Sequence, residues 1–332
     1  MNYSKIKVQK NISRPDIVFD LVAIPGTSRV LLASSDFNIH DLDISQQKAE
    51  SKTLSGHASY VTTLALGKDV LASGSYDGKI IFWNISKNEK IKSLDAHQKW
   101  IRKITLSPDG KLLASVADDM VLKLWSFPEG KLIREMKGEH TPLTPHHFQS
   151  MLYACTFNSD GSLVASADKT GHVVVWETKS GKKVASVEAP IMYTWDPSAR
   201  RHSIGGPRSL AFSPDSKYLA VGGTGKIGNI DHLEANARIE VFEWQKQEKS
   251  KEFIIDKHKG LVEFLEFHPD GNILLGAGGA GEGFICFVDL KENKVAHQEK
   301  AQMNVHGVFT QNKMTSILAG GHHRVMEFQF EV

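Results

Sequence analysis

Four short stretches of the 332-residue chain are variants of one phrase: LSPDG at 106–110, FNSDG at 157–161, FSPDS at 212–216 and FHPDG at 267–271, each followed by an apolar run. Weaker copies stand at Ile24, at Leu66 and, by position and flanks alone, at Phe309. The landmarks Ile24, Leu66, Leu106, Phe157, Phe212, Phe267 and Phe309 are separated by 42, 40, 51, 55, 55 and 42 residues. A unit of roughly 40 to 50 residues repeated end to end is the mark of small sheets stacked as propeller blades. One such ring uses the whole chain, and no Ser/Pro linker, charge block or shift in composition marks off a second module.

Residues 57–96 display one unit. Alternating or apolar runs at 61–66, 70–75, 79–83 and 90–94 are separated by turn-forming stretches, including Gly67 and the pair Asp77-Gly78. The pattern predicts a four-stranded antiparallel sheet with apolar residues on both faces, which only neighbouring sheets can cover. No helical apolar period of useful length interrupts the series.

His57, Ser73, Asp77 and Trp83 recur at matching offsets as His97, Ser115, Asp119 and Trp125, with Ser four residues before Asp and Trp six after it. In these residues the chain resembles the WD40-repeat family. The resemblance implies an all-β fold, a seven-bladed β-propeller of four-stranded antiparallel blades, with six or eight blades as weaker alternatives. It implies a hydrogen-bonded chain within each blade, from the Trp indole to Ser, Ser to His, and His to Asp. That order makes chemical sense, because an indole only donates, a carboxylate only accepts, and Ser and His do both. The family pattern divides the chain into blades at 13–56, 57–96, 97–139, 140–189, 190–257, 258–302 and 303–332. The last unit lacks a fourth strand, and the resemblance implies that residues 1–12, which read like the fourth strands at 90–94 and 131–135, supply it.

The remaining repeats depart from the pattern. The fourth has His140, Ser166 and Trp176, but Thr170 at the Asp position and Asp168 two residues early; Phe242, Phe287 and Phe328 replace Trp in the last three. A Ser, a His and an Asp in one blade invite a catalytic reading, but the set recurs beside a Trp with a structural role available to it. No catalytic residue is assigned to these sets.

Large insertions at 141–150, 190–206, 224–237 and 276–283 all fall in the two loop types that, in the resembled family, emerge on one face, called the top. Long loops in compact domains are usually functional or disordered. The second insertion holds Tyr193, Trp195, Arg200 and Arg201, residue types favoured at interface hot spots; Trp195 equally suits a lid over the propeller. Tyr60, Trp100 and Leu261 share one repeat position, which the resemblance places at the mouth of the central channel. These seven residues are the expected partner-binding set.

A net charge of +2 gives no polyanion footprint, so no nucleic-acid partner is indicated. The two cysteines, Cys155 and Cys286, sit in apolar strand patterns and read as buried thiols. No window approaches 18 uninterrupted apolar residues and the first ten residues lack an apolar h-region, so no membrane partner and a cytoplasmic location are expected. The glycines at 276–281 match a dinucleotide fingerprint formally, but a strand rather than a helix follows them. Histidines 140, 146, 147, 202, 232, 322 and 323 gather on the expected top without a recognised ligand spacing, so no cofactor and no metal is expected. The expected function is therefore a non-enzymatic scaffold that docks a protein or peptide on its top face, alone or within a larger complex. The alternative is a hydrolase or lyase at the same face, using Asp231, Glu234 and His202.

Overall fold

The computed structural model describes residues 3–46, 51–197, 202–228 and 233–330. Among them the chain is an all-β propeller; its only helical turns are short 3-10 segments at Tyr3–Lys5 and Pro190–Met192. Repeat two shows how the sequence makes a sheet. Val61–Leu66, Val70–Ser75, Lys79–Asn84 and Glu89–Asp95 pair in chain order, all antiparallel. The third strand, buried through Ile80, Ile81, Phe82 and Trp83, is apolar on both faces because sheets flank it on both sides. The fourth strand alternates exposed and half-buried residues, as an outer edge should.

Among the described residues, hydrogen-bonded sheets of four or more strands number six, rather than the seven separate blades expected. The reason is one long strand, Ile6–Ala23, shared between two repeats. Its first part pairs with the last strand, from Ile6 opposite Phe330 to Ser13 opposite Arg324. Its second part, from Val18 to Ala23, pairs with Arg29–Ser34. Register shifts between Ser13 and Ile17 and between Val18 and Asp20 mark the changeover, where bulges turn a strand from one partner to another. The repeats at the two ends of the sequence thus merge into a six-stranded sheet.

The core lies between sheets. Trp83 and Ile81 pack with Leu31, Ala33 and Val61; Trp125 and Phe127 pack with Ile80 and Phe82; Trp176 packs with Val116 and Leu124. Val18, Leu21, Leu318 and Val325 join the last repeat to the first. Each such side chain, fully buried, is worth about 1.5–3 kcal/mol. Gly78 fixes one inter-repeat joint: its φ is +78°, a Cβ would approach the carbonyl oxygen of His97 to 2.5 Å, and its own carbonyl accepts from the amides of Ala96 and His97.

The enlarged turn expected at 276–283 is instead an extended hairpin. Ile273–Ala280 and Glu282–Asp289 stay paired to the tip, Ala280 opposite Glu282. Small residues there let the two strands run on without a loop.

Candidate partner-docking site

The side-chain chains of repeats two and three close fully. Trp83 Nε1 donates to Ser73 Oγ at 2.8 Å, His57 Nε2 lies 2.8 Å from Ser73 Oγ, and His57 Nδ1 lies 3.0 Å from Asp77. The counterparts are Trp125 to Ser115 at 2.9 Å, His97 to Ser115 at 2.8 Å and His97 to Asp119 at 3.0 Å. Burial raises the Asp77 and Asp119 carboxyls, but hydrogen bonds from His57 and His97 and from backbone amides outweigh it and hold both below the ordinary carboxylate range. An ionised carboxylate only accepts, so each histidine donates to it through a hydrogen on Nδ1 and turns Nε2 toward the serine hydroxyl. A serine whose hydroxyl is committed to histidine inside a sheet is a strut, with no cleft beside it.

The fourth repeat departs from the sequence expectation. Asp168, not Thr170, reaches His140: Oδ2 lies 2.9 Å from Nδ1, while Nε2 is 2.8 Å from Ser166 and Trp176 donates to Ser166 at 2.9 Å. Thr170 serves the carboxylate instead, donating its hydroxyl to Asp168 Oδ1 at 2.7 Å. His140 is therefore a buried strut and not a loop histidine of the top face.

A row of aromatic rings crosses the face at the start of the inner strands. Phe37 touches Tyr60 at 5.6 Å between centroids, Tyr60 touches Tyr76 at 5.9 Å, and Tyr76 stacks on Trp100 at 4.5 Å with planes 8° apart. Phe37, Tyr60 and Trp100 are 42, 41 and 50% exposed, and they are the aromatic members of the exposed large apolar side chains among the described residues. Leu261, expected beside them, is buried at 8% and offers no such surface. Its strand, Leu261–Phe267, extends one residue beyond the usual start and packs the leucine inward.

Phe37 is the member of the row that the repeat pattern does not reveal. It stands where repeat two has Gly78, in the turn after the second strand, with φ at +73°. Bulky residues rarely adopt that backbone. The one signal in the sequence is a phenylalanine at a position whose counterpart is glycine.

Beside the row lies a cavity of about 250 Å³ lined by Phe19, Thr62, Arg102, Tyr153, Glu263 and His306, among others. Arg102 is held by Asp118 through two bonds of 2.6 and 2.8 Å and donates to the Tyr76 hydroxyl at 2.7 Å.

The insertions fold onto one another. His146 stacks on Trp195 at 4.6 Å with planes 12° apart and lies 3.1 Å from the Tyr193 hydroxyl. Phe148 packs against Trp195 at 5.1 Å and meets the edge of His202 at 5.9 Å. Tyr193–Asp196 and His202–Gly205 form a small hairpin, and Thr194 Oγ1 accepts the amide of Ile227 from the next insertion. Tyr193 and Trp195 thus serve as half-buried packing between insertions. Arg200, Arg201, Asp231 and His232 lie outside the described residues.

The only group of three or more potential ligand side chains close enough for a metal, among the described residues, is Asp16, Asp36 and His40, away from the expected loop histidines. Arg14 and Ser34 both hold Asp16. Both cysteines are free and buried, and burial pushes their thiols up to about 12. Among the described residues no helix is long and apolar enough to cross a membrane.

Known proteins share these features. The sequence profile described as WD domain, G-beta repeat matches residues 48–84, 88–126, 138–177 and 199–227. The chain is a WD40-repeat β-propeller. The third matched segment holds the His140 set, whose displaced Asp168 restores the polar chain. Among proteins similar to this WD40 chain are "Apoptotic protease-activating factor 1" of Homo sapiens, 29% identical over 53% of the chain, and "U3 small nucleolar RNA-associated protein 15 homolog" of Xenopus tropicalis, 28% identical over 63%. The "p21-activated protein kinase-interacting protein 1-like" of Gallus gallus is 35% identical over 31% of the chain. The aligned parts span only 13, 36 and 28% of those three proteins.

Proposed function

We propose that this WD40 chain is a non-enzymatic interaction platform that docks a protein or peptide partner on the face carrying Phe37, Tyr60, Tyr76 and Trp100. The observation that carries the reading is the row of three large aromatic side chains left 41 to 50% exposed and joined through Tyr76, which lines the neighbouring cavity. Scattered exposed apolar residues need no explanation, but a contiguous row beside a concave site favours an interaction surface. A relative whose name marks it as a kinase-interacting protein fits a protein partner. The insertion residues that meet at His146, Phe148 and Trp195 pack on one another and are not the anchor in this reading. We also infer that the pairing of residues 6–13 with the last strand acts as the clasp of the ring, with the repeat boundaries that the family pattern gives.

Crosslinking mass spectrometry on native extract, comparing the parent with Trp100→Ala, tests the docking reading. Loss of partner crosslinks near Trp100 while the fold persists is expected. Crosslinks that cluster on the opposite turns, around Asp109 and Asp270, and ignore Trp100 would overturn it.

A further inference from the structure

The cavity of about 250 Å³ beside the aromatic row is lined by one bulge from each repeat. Phe19, Thr62, Arg102, Tyr153, Glu263 and His306 each stand at a register shift near the start of an inner strand, without a partner across the sheet. Arg208 takes the same place in its repeat: its amide donates to the carbonyl of Gly222, the residue already paired with Ser209. A bulge re-aims the side chain it carries, and all of these line the cavity. Contacts pass from one to the next. Phe19 meets His306 at 5.7 Å between centroids, and the guanidiniums of Arg102 and Arg208 lie 5.5 and 3.6 Å from the centre of Tyr153.

Arg102 is neutralised by Asp118, and Lys103 by Asp20 at 3.0 Å. Arg208 and Glu263 have no such counterpart. Among the described residues no hydrogen bond or ion pair reaches the Glu263 carboxylate, and Arg208 donates only to the carbonyl oxygens of Gly205, Gly206 and Pro207, all through Nη1. The two stand on adjoining strands, because Ser209, next to Arg208, donates to the carbonyl of Val262, next to Glu263, at 2.7 Å. Arg208 nevertheless turns to Tyr153 on its other side. A guanidinium and a carboxylate thus line one cavity as neighbours without closing on each other.

Such a pair complements a ligand that carries both signs close together, since a lone carboxylate would meet Glu263 and a lone ammonium would meet Arg208. Lys103, Arg208 and Glu263 also line a second space of about 330 Å³, bounded by later residues of the same strands. Its half-buried lining includes the apolar Phe264, Val22 and Phe309 beside Thr105 and Thr156. The charges therefore stand where a polar mouth meets a largely apolar passage.

We propose that the channel mouth binds a free α-amino acid with a large apolar side chain, its carboxylate on Arg208, its ammonium on Glu263 and its side chain directed past Phe264 into the lower space. The inference goes beyond the docking reading and does not rest on it, since Arg208, Glu263 and Phe264 are not members of the aromatic row.

Isothermal titration calorimetry on the full chain with L-phenylalanine tests it. Hydrocinnamate, which lacks the ammonium, and phenethylamine, which lacks the carboxylate, should each bind about tenfold or more weakly. L-Alanine, which lacks the ring, should also bind more weakly. Glu263→Gln should abolish the preference for phenylalanine over hydrocinnamate, and Arg208→Met the preference over phenethylamine. Lys217→Met, which removes a cation at the opposite end of the sheet that holds Arg208, should leave affinity within about twofold. The parent's own preferences test the site even where Arg208→Met fails to fold. No saturable binding of L-phenylalanine up to about 10 mM would overturn the proposal. So would equal affinity for all three aromatic compounds, equal loss in Lys217→Met, or an unchanged preference in Glu263→Gln. If Trp100→Ala loses partner crosslinks while the parent fails to bind L-phenylalanine, the docking reading stands and the amino-acid inference falls.

Discussion

Asp168 stands two residues earlier than the aspartates of repeats two and three, yet its carboxylate lies 2.9 Å from Nδ1 of His140. Two turn geometries therefore solve one problem, the satisfaction of a buried histidine. Repeat three has Ala117 and Asp119 where repeat four has Asp168 and Thr170, which makes the two solutions interchangeable by mutation. Asp168→Ala should cost about 2–3 kcal/mol, as loss of a buried charged acceptor does. Adding Thr170→Asp should restore most of it by recreating the arrangement of repeat three. Thermal melts of the single and double variants decide, and absence of any rescue would show that the local backbone, not the carboxylate, sets the cost.

Trp83→Phe should lower stability by about 1–3 kcal/mol, because it leaves Ser73 Oγ without its indole donor while keeping most of the packing. An unchanged melting midpoint would remove the structural role assigned to the polar chains.

Deleting residues 1–12 should expose the edge of the last strand, which now pairs from Arg324 to Phe330 with residues 6–13. Unpaired edges recruit other chains. Light scattering should therefore report dimers or aggregates, whereas a monodisperse product with the parent's melting curve would show that the pairing is dispensable.

Much of this architecture was legible because the repeat is written in residues that the fold uses directly. The LSPDG-type phrases are tight turns between inner strands, in which Ser107 and Asp109, or Ser213 and Asp215, bond to each other and to following amides. Their spacing therefore tracked the sheets. The sharing of one strand by two repeats was less legible, since nothing in the residues 6–23 distinguishes a bulged continuous strand from two strands and a loop. The proposed docking face was legible at Tyr60 and Trp100, whose positions repeat, and illegible at Phe37. Phe37 joins the row only through a neighbour distant in sequence, Tyr60. For Trp195 the sequence left contact and lid equally open, because its packing partners His146 and Phe148 belong to another insertion, and pairing between insertions leaves no periodic trace.

That packing makes Trp195 separable from Trp100. Trp195→Ala should destabilise the joined insertions by about 1–2 kcal/mol through lost stacking on His146 and Phe148. Limited proteolysis should then cut first within residues 141–206. Trp100→Ala should leave the melting curve unchanged and weaken the partner by about 1–2 kcal/mol.

Phe37→Gly should hold or raise stability, since left-handed backbone costs a side-chain-bearing residue about 1–2 kcal/mol and this ring is 42% exposed. Partner binding should weaken at the same time. A clear loss of stability would mean that the ring is kept for its packing on Tyr60.

Acid should act on the protein in two stages. Burial holds His140, His306 and His322 below the ordinary histidine value of 6.5. The folded chain keeps them neutral where the unfolded chain binds protons, so their contribution is complete above about pH 6.5 and declines as pH falls toward the depressed values. The aspartates of the polar chains, Asp77, Asp119 and Asp168, lie below their ordinary value of 3.8, so their contribution is lost only in a second, more acidic window. His306 offers the cleanest test of the first stage, because its Nε2 is buried without a hydrogen-bond partner. His306→Leu should flatten the fall in melting temperature between about pH 7 and 5 while leaving the loss below about pH 4 in place. A slope identical to the parent's across the upper window would show that His306 is not among the groups that titrate on unfolding.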